Sequence, residues 1–114
     1  MAPDPEPERG CAITDLFRLL GKRHVPDILY RILQDDSVRF NTIQDDLALS
    51  PNTLSDRLKR LTEAGLVVRR AYNEIPPRVE YTATSKAREL AKMFDILSQW
   101  ADTHTLEPEA AATS

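Results

Sequence analysis

The sequence has few of the residues that support catalysis or metal binding. Its 114 residues include one cysteine and three glycines. A single thiol, Cys11, cannot form an internal disulfide and is typical of a reducing compartment. Three glycines leave no glycine-rich phosphate loop, and the acids of Asp35-Asp36 and Asp45-Asp46 are adjacent, so their side chains diverge. Soft metal donors are scattered. We therefore predict no enzyme, no metal site and no cofactor.

Long hydrophobic runs are also absent. No apolar stretch approaches the roughly 18 residues that a bilayer-spanning helix needs. The first ten residues, MAPDPEPERG, have no apolar centre, so we expect no signal peptide and a cytoplasmic location. The length predicts one domain. We expect a disordered acidic, proline-rich arm over residues 1–10, a folded domain over 11–103 and a flexible tail over 104–114.

Positive charge is scarce overall but concentrated in one segment. The net charge is −3, yet residues 56–78 contain six basic and three acidic residues, which gives +3 there and −6 elsewhere. A basic segment on an acidic body is expected where one face meets a polyanion such as DNA. A solvated helix face explains the same charges equally well.

Hydrophobic periodicity predicts the order of the elements. Helices are expected at about 12–20, 25–33, 41–47, 51–64 and 85–103, a short extended piece at 37–40, and a hairpin from 66–72 and 79–82. Ser50 and Pro51 are a helix-start signal, and Gly65 ends that helix. This order predicts a mainly α fold with a small β-hairpin, a winged helix-turn-helix.

The helix after Ser50 is the second helix of that unit, which can lie in a DNA major groove. Short polar side chains in its first turn can reach base edges, and the basic residues that follow can contact phosphates. Arginines of the hairpin, the wing, could grip the backbone or a minor groove. The recognition-helix candidates are Pro51, Asn52, Thr53, Ser55, Asp56, Arg57, Lys59 and Arg60, and the wing candidates are Arg69, Arg70 and Arg78.

The chain resembles the HxlR-type regulators, a branch of the winged-helix transcription factors. The resemblance covers about residues 11–101. It is carried by Arg39-Phe40, by SPNTLSDRLKRLTEAGLVVR (50–69) and by IPPRVEYTAT (75–84), together with Cys11 and Trp100. It implies a dimeric, cytoplasmic, DNA-binding regulator.

The last helix indicates how such a dimer would form. One apolar stripe (Leu90, Phe94, Leu97, Ala101) can cover the domain's own core. A second, rotated stripe of Met93, Ile96 and Trp100 needs another partner, because small monomers rarely expose an apolar strip. We predict that this stripe is a dimer interface and that the N- and C-terminal helices are dimerisation helices. The alternative is one wide core-facing side.

Together these features predict a sequence-specific transcriptional regulator that binds a pseudo-palindromic operator in double-stranded DNA as a homodimer. One alternative is a winged-helix protein-interaction module that does not bind DNA. Another is a thiol-sensing regulator switched through Cys11, because some relatives of the HxlR type use an N-terminal cysteine as a sensor. Cys11 could instead be a small buried filler between helices. The sequence shows no pocket for a small-molecule effector.

Overall fold

The computed structural model describes residues 5–107, with side chains from residue 12 onward. Within this range the chain forms five helices and three strands and has the mainly helical winged helix-turn-helix fold that the sequence predicts. In chain order the elements are α1 (Pro5–Leu20), α2 (Val25–Leu33), β1 (Val38–Arg39), α3 (Phe40–Leu47), α4 (Pro51–Glu63), β2 (Val67–Tyr72), β3 (Arg78–Ala83) and α5 (Ser85–Thr103).

Helix α1 begins at Pro5, earlier than the predicted start near residue 12. Pro5 and Pro7 both fall in its first turn, where backbone N–H groups have no intrahelical acceptor and proline is tolerated. Residues 1–4 and 108–114 lie outside the described residues. The division into arm, domain and tail therefore stays a prediction.

The hairpin is part of a three-stranded antiparallel sheet with the order β1-β3-β2. The predicted extended piece before α3 supplies the third strand, in which Val38 pairs with Tyr81 and Arg39 with Glu80. Strands β2 and β3 pair from Val67↔Ala83 to Tyr72↔Arg78. β2 is thus an edge strand and β3 the central one, so the wing is anchored to the domain through β3.

The core lies between α2, α4 and the inner face of the sheet. Leu54, Leu58 and Leu61 of α4 are buried, as their spacing of i, i+4 and i+7 predicts. They are joined by a buried stripe of α2 and by Val67 and Tyr81 from the sheet. This packing fixes which side of α4 faces outward.

Hydrogen bonds join the end of α4 to the start of α5 at the point where the wing begins. Gly65 has φ 78°, which only glycine adopts without strain, and it turns the chain from α4 into β2. The Thr84 hydroxyl donates to the Gly65 carbonyl at 2.8 Å and accepts from the Ala87 N–H at 3.2 Å. Lys86 Nζ donates to the Ala64 carbonyl at 2.8 Å. The wing therefore leaves the domain at a fixed point.

Candidate nucleic-acid interface

The outward face of α4 carries four polar side chains that have no hydrogen-bond or ion-pair partner within residues 12–107, and the last of them, at the end of the helix, is the acid Glu63. Asn52, Ser55 and Lys59 are exposed and lie at i, i+3 and i+7, so they share one face, away from the buried leucines. Within residues 12–107, none of their side chains has a hydrogen-bond partner. An amide, a hydroxyl and an ammonium are thus presented in a row that can meet base edges and phosphates.

The start of α4 is capped from within the chain. Ser50 Oγ accepts a hydrogen bond from the Thr53 N–H at 3.2 Å and donates to Thr53 Oγ1 at 3.0 Å. Pro51 is exposed and has no N–H to offer. Thr53 is half-buried and belongs to the cap, so Asn52 is the residue of this turn best placed to approach a base.

Three charged residues of α4 form a cluster that the sequence did not reveal. Asp56 Oδ2 accepts from Arg60 Nε at 3.1 Å and from Arg57 Nη1. Hydrogen bonds from Arg60, and secondarily from Arg57, lower the pKa of Asp56. Arg57 Nε also donates to the carbonyl oxygen of Arg23 at 2.7 Å, which ties α4 to the turn between α1 and α2. Asp56 and Arg57 are therefore occupied inside the domain, whereas the sequence suggested that both faced the groove.

The two adjacent wing arginines lie on opposite faces of the sheet. Successive side chains of a strand alternate, and partners across a ladder share a face. Arg69 pairs with the buried Tyr81 and so lies on the inner face, towards α4, whereas Arg70 pairs with Glu80 on the outer face. Arg69 and Lys59 both line a cleft of about 280 Å³ between α4 and the wing, together with Ser55, Tyr81 and the acid Glu63. This cleft brings two cations from different elements together.

Arg78, the third wing candidate, is engaged by its neighbours. Its Nη2 lies 2.9 Å from Glu74 Oε2, and its Nη1 lies 3.1 Å from Glu80 Oε2. Its guanidinium carbon sits 3.9 Å from the centre of the Tyr72 ring. Three contacts on one planar group hold the loop between β2 and β3 in place. Arg78 is thus positioned to brace the wing rather than to extend towards a ligand.

The predicted dimer stripe of α5 is largely uncovered. Ile96 is 66% and Trp100 47% exposed, and Met93 is half-buried. Leu97, which the sequence assigned to the core-facing stripe, is also exposed, because it lines an open cleft beside Tyr30 of α2 and is not packed into the core. Trp100 stacks on the ring of His104 at a centroid distance of 4.4 Å.

Helix α1 also exposes large apolar side chains, and a cleft lies between α2 and α5. Ile13 and Phe17 of α1 are 58% and 62% exposed. Tyr30 of α2 and Phe94 of α5 approach at a ring distance of 5.7 Å and line a shallow cleft of about 310 Å³ with Leu97. Cys11 is in α1, but its side chain lies outside the described residues.

Comparison with known proteins establishes the family. A family model described as HxlR-like helix-turn-helix matches residues 19–109. The chain belongs to this HxlR-like family. The HTH-type transcriptional regulator YodB of Bacillus subtilis is 36% identical over 87 residues, which is 75% of this chain and 77% of that protein. The HTH-type transcriptional regulator YvaP of the same organism, itself uncharacterised, is 40% identical over 91 residues, 79% of this chain and 82% of that protein.

Solved structures agree with this assignment. The reduced form of YodB superposes with a TM-score of 0.70 at 29% identity, covering 95% of this chain and all of that one. The redox regulator HypR in its oxidized form, at 23% identity and a TM-score of 0.72 over 82% of this chain and 97% of that one, shares the fold. The HxlR-like proteins are transcriptional regulators and not enzymes, so the predictions of family, of DNA-binding class and of no enzymatic activity are confirmed. None of the helices within residues 5–107 is long and apolar enough to cross a membrane.

Proposed function

We propose that the protein is a cytoplasmic, homodimeric regulator that binds a pseudo-palindromic operator. The observation that carries this proposal is the exposed row of Asn52, Ser55 and Lys59 on a helix whose opposite face is buried. In a two-fold dimer, two such helices enter successive major grooves about 34 Å apart. The HxlR-like helix-turn-helix supports the same assignment.

Base contacts and phosphate contacts are divided between different residues. Asn52 and Ser55 are short and uncharged, and an asparagine amide can bond to adenine N6 and N7 in the major groove. Lys59, Arg69 and Arg70 carry charges that have no ion-pair partner within residues 12–107, so they are the phosphate contacts. The remaining candidates of the helix and wing hold these groups in position: Thr53, Asp56, Arg57 and Arg78. Arg60 is exposed beside Asp56 and can reach a phosphate from there.

The dimer interface is built from α1 and α5. Ile13, Phe17, Ile96 and Trp100 are large apolar side chains that remain exposed on these two helices. Burying each of them against a second copy removes apolar surface from water, worth about 1.5–3 kcal/mol per fully buried side chain. A two-fold dimer buries the same patch of each copy, which matches the two-fold symmetry of a palindromic operator.

Selection of bound sequences from a random duplex pool tests the function. The purified protein should recover a two-fold motif, and Asn52→Ala should recover the same motif with relaxed preference at one position in each half-site. A winged-helix module that binds another protein would recover no motif and would form complexes that are insensitive to salt. Recovery of random sequences by the wild-type protein would contradict the proposed operator.

Thiol sensing through Cys11 is a second candidate function. It is favoured by YodB, whose structures include a reduced, a diamide-treated and a quinone-bound form. If the same chemistry operates here, diamide should change operator affinity of the wild-type protein and leave that of Cys11→Ser unchanged. Equal responses of the two proteins would exclude Cys11 as the sensor.

A further inference from the structure

The turn between α1 and α2 carries two cations without partners. Lys22 and Arg23 are exposed, and neither side chain has a hydrogen bond or an ion pair in the part of the chain that the structure describes. The charged residue before them, Arg18, is by contrast paired with Asp15 at 3.3 Å. Exposed cations are common on protein surfaces. Lys22 and Arg23 therefore need a structural reason before a role is assigned to them.

A hydrogen bond from α4 fixes the position of this turn. Arg57 Nε donates to the Arg23 carbonyl at 2.7 Å. The turn itself is closed by a bond from the Val25 N–H to the Lys22 carbonyl at 3.1 Å. Its third residue, His24, has φ 74° and ψ −8°, the left-handed conformation that a type II turn requires at that position and that glycine usually supplies. The turn is therefore held in one shape and in one place against α4.

The turn lies on the flank of α4 opposite the wing. Ser55 and Thr62 line the cleft that α4 forms with the wing, whereas Arg57 meets the turn. Positions 55 and 57 are about 200° apart on a helix, so they face opposite sides. A helix that enters a major groove, about 12 Å wide, has a row of phosphates on each side. The wing lies towards one row and the turn towards the other.

The charges around the turn leave a net positive flank. In α4 the acid Asp56 is shared by two arginines, so that cluster has a net charge of +1. Lys22 and Arg23 add two positive charges, and the ion pair near the end of α1 is neutral. The next acid in sequence, Asp27, is exposed in the first turn of α2 and removes one charge. The flank remains positive with every one of these acids counted, as a surface that meets a polyanion requires.

We propose that the turn of residues 21–24 is a phosphate-contact site, with Lys22 and Arg23 as the contacts and Arg57 as the residue that positions them. This proposal rests on the DNA-binding function proposed above. Phosphate contacts fix the register and orientation of a protein on the duplex without reading its sequence. A contact on this flank holds α4 from the side that the wing does not reach, so the rotation of the helix in the groove is set from both sides.

Titrations of the selected operator and of random duplex at several salt concentrations test the site. The double variant with Lys22→Ala and Arg23→Ala should lower the salt slope by about two, one for each lost phosphate contact. Between about 50 and 200 mM salt its affinity should therefore fall roughly tenfold less than that of the wild-type protein. Its affinity for both duplexes should weaken by the same factor, because phosphates carry no sequence information.

Two control proteins separate a local contact from a change in net charge. Arg88→Ala removes the same charge as Arg23→Ala, but Arg88 lies beyond the other end of α2, where its Nη2 donates to the Asp35 carbonyl at 3.3 Å. Its salt slope should equal that of the wild-type protein. A protein with Lys22→Arg and Arg23→Lys keeps both charges and should also keep the wild-type slope.

A double-mutant cycle tests the positioning role of Arg57. Arg57→Lys keeps the positive charge but replaces the planar guanidinium that bonds to the Arg23 carbonyl and to Asp56 at once. It should weaken DNA binding a few-fold in the wild-type protein and by less in the double alanine variant, because the cations that it positions are then absent. Equal losses in the two backgrounds would contradict this role.

Three outcomes for the double alanine variant would overturn the site. An unchanged salt slope would show that Lys22 and Arg23 meet no phosphate. A loss of affinity confined to the operator would assign them to base contacts. A lower molecular mass in light scattering, with the slope unchanged, would assign the turn to a second copy of the chain. Each differs from failure of the proposed function, in which the wild-type protein itself selects no DNA sequence.

Discussion

Two surfaces of the molecule differ in whether their side chains have interaction partners within the chain. The basic surface comprises α4, β2 and the loop 73–77, and the apolar surface comprises the exposed side chains of α1 and α5. On the basic surface Arg57 and Arg60 have an acidic partner from the chain itself, as does Arg78 at the adjoining start of β3. On the apolar surface Ile96 and Phe17 are 66% and 62% exposed. A charge can be satisfied by a neighbour or by water, whereas an apolar group gains only from another surface.

The two surfaces also differ in the free energy that a single side chain contributes. An exposed ion pair contributes about 0–1 kcal/mol, so losing one partner changes little. Burial of a large apolar side chain contributes about 1.5–3 kcal/mol. The apolar surface should therefore show the largest response to a single substitution, and the basic surface should respond in smaller, separable steps.

A charge in the apolar surface is expected to have the largest effect. Ile96→Asp should yield monomers, because dimerisation would bury an unpaired carboxylate at a cost of about 3–5 kcal/mol. Operator binding should weaken with it, since each half-site loses its linked second contact. Light scattering and titration of operator duplex measure both effects.

Gln99→Asp is the matched control for that substitution. It adds the same charge to the same helix at an exposed position outside the Met93, Ile96 and Trp100 stripe. Its mass should equal that of the wild-type protein. A folded Ile96→Asp protein of unchanged mass would move the dimer interface away from α5.

Removal of the Asn52 amide should have the next largest effect on binding. Asn52→Ala should cost about 1–3 kcal/mol against the selected operator and far less against random duplex, because a base contact distinguishes sequences. The slope of affinity against salt should stay the same, since Asn52 carries no charge. Titrations against both duplexes at several salt concentrations measure this. Equal losses on the two duplexes would show that Asn52 does not read a base.

Sequence patterns predicted the helices, the strands and the core more completely than they predicted the partner of each charged side chain. The spacing of Leu54, Leu58 and Leu61 reports burial directly, because helix geometry maps spacing onto a face. The spacing of Asn52, Ser55 and Lys59 follows from the same rule. By contrast, the bond from Arg57 to the Arg23 carbonyl joins positions far apart in the chain, and nothing local signals it.

The wing shows a similar limit. Arg69-Arg70 looks like a basic pair, yet alternation along a strand sends one to each face. Arg78 lies four residues after Glu74 and two before Glu80. This spacing permits ion pairs with both acids, but the pairs could be predicted only if the register of the hairpin was known. The exposure of Ile75 and of α1 depends on packing, which periodicity does not report.

Substitutions in the cleft between Lys59 and Arg69 test whether these two residues contact one phosphate or two. If both cations bind one phosphate, the affinity losses of Lys59→Ala and Arg69→Ala should not add in the double variant, and the double variant should lower the salt slope by about one in total. Arg70, on the opposite face, should combine additively with either. Strict additivity of Lys59→Ala with Arg69→Ala would show that the two residues contact different phosphates.

The smallest expected effect is a gain. Asp56 lies on α4 and accepts from Arg57 and Arg60, so Asp56→Asn should weaken these ion pairs and remove a negative charge from the surface that faces phosphates. Affinity for random duplex should rise a few-fold, and the gain should shrink as salt is added. Asp46→Asn is the control, because Asp46 pairs with Arg31, outside the basic surface.

The pKa of Asp56 fixes the pH range of this effect. Arg60 first and Arg57 second lower the pKa of Asp56 below its ordinary value near 3.8. The ion pairs therefore stabilise the fold fully above that value, and this contribution is lost only as pH falls through the lowered pKa. Between pH 5 and 8 Asp56 stays ionised, so the ratio of Asp56→Asn to wild-type affinity for random duplex should be constant. A ratio that falls steadily as pH drops across this range would show that Asp56 takes up a proton there and is not held by its two arginines.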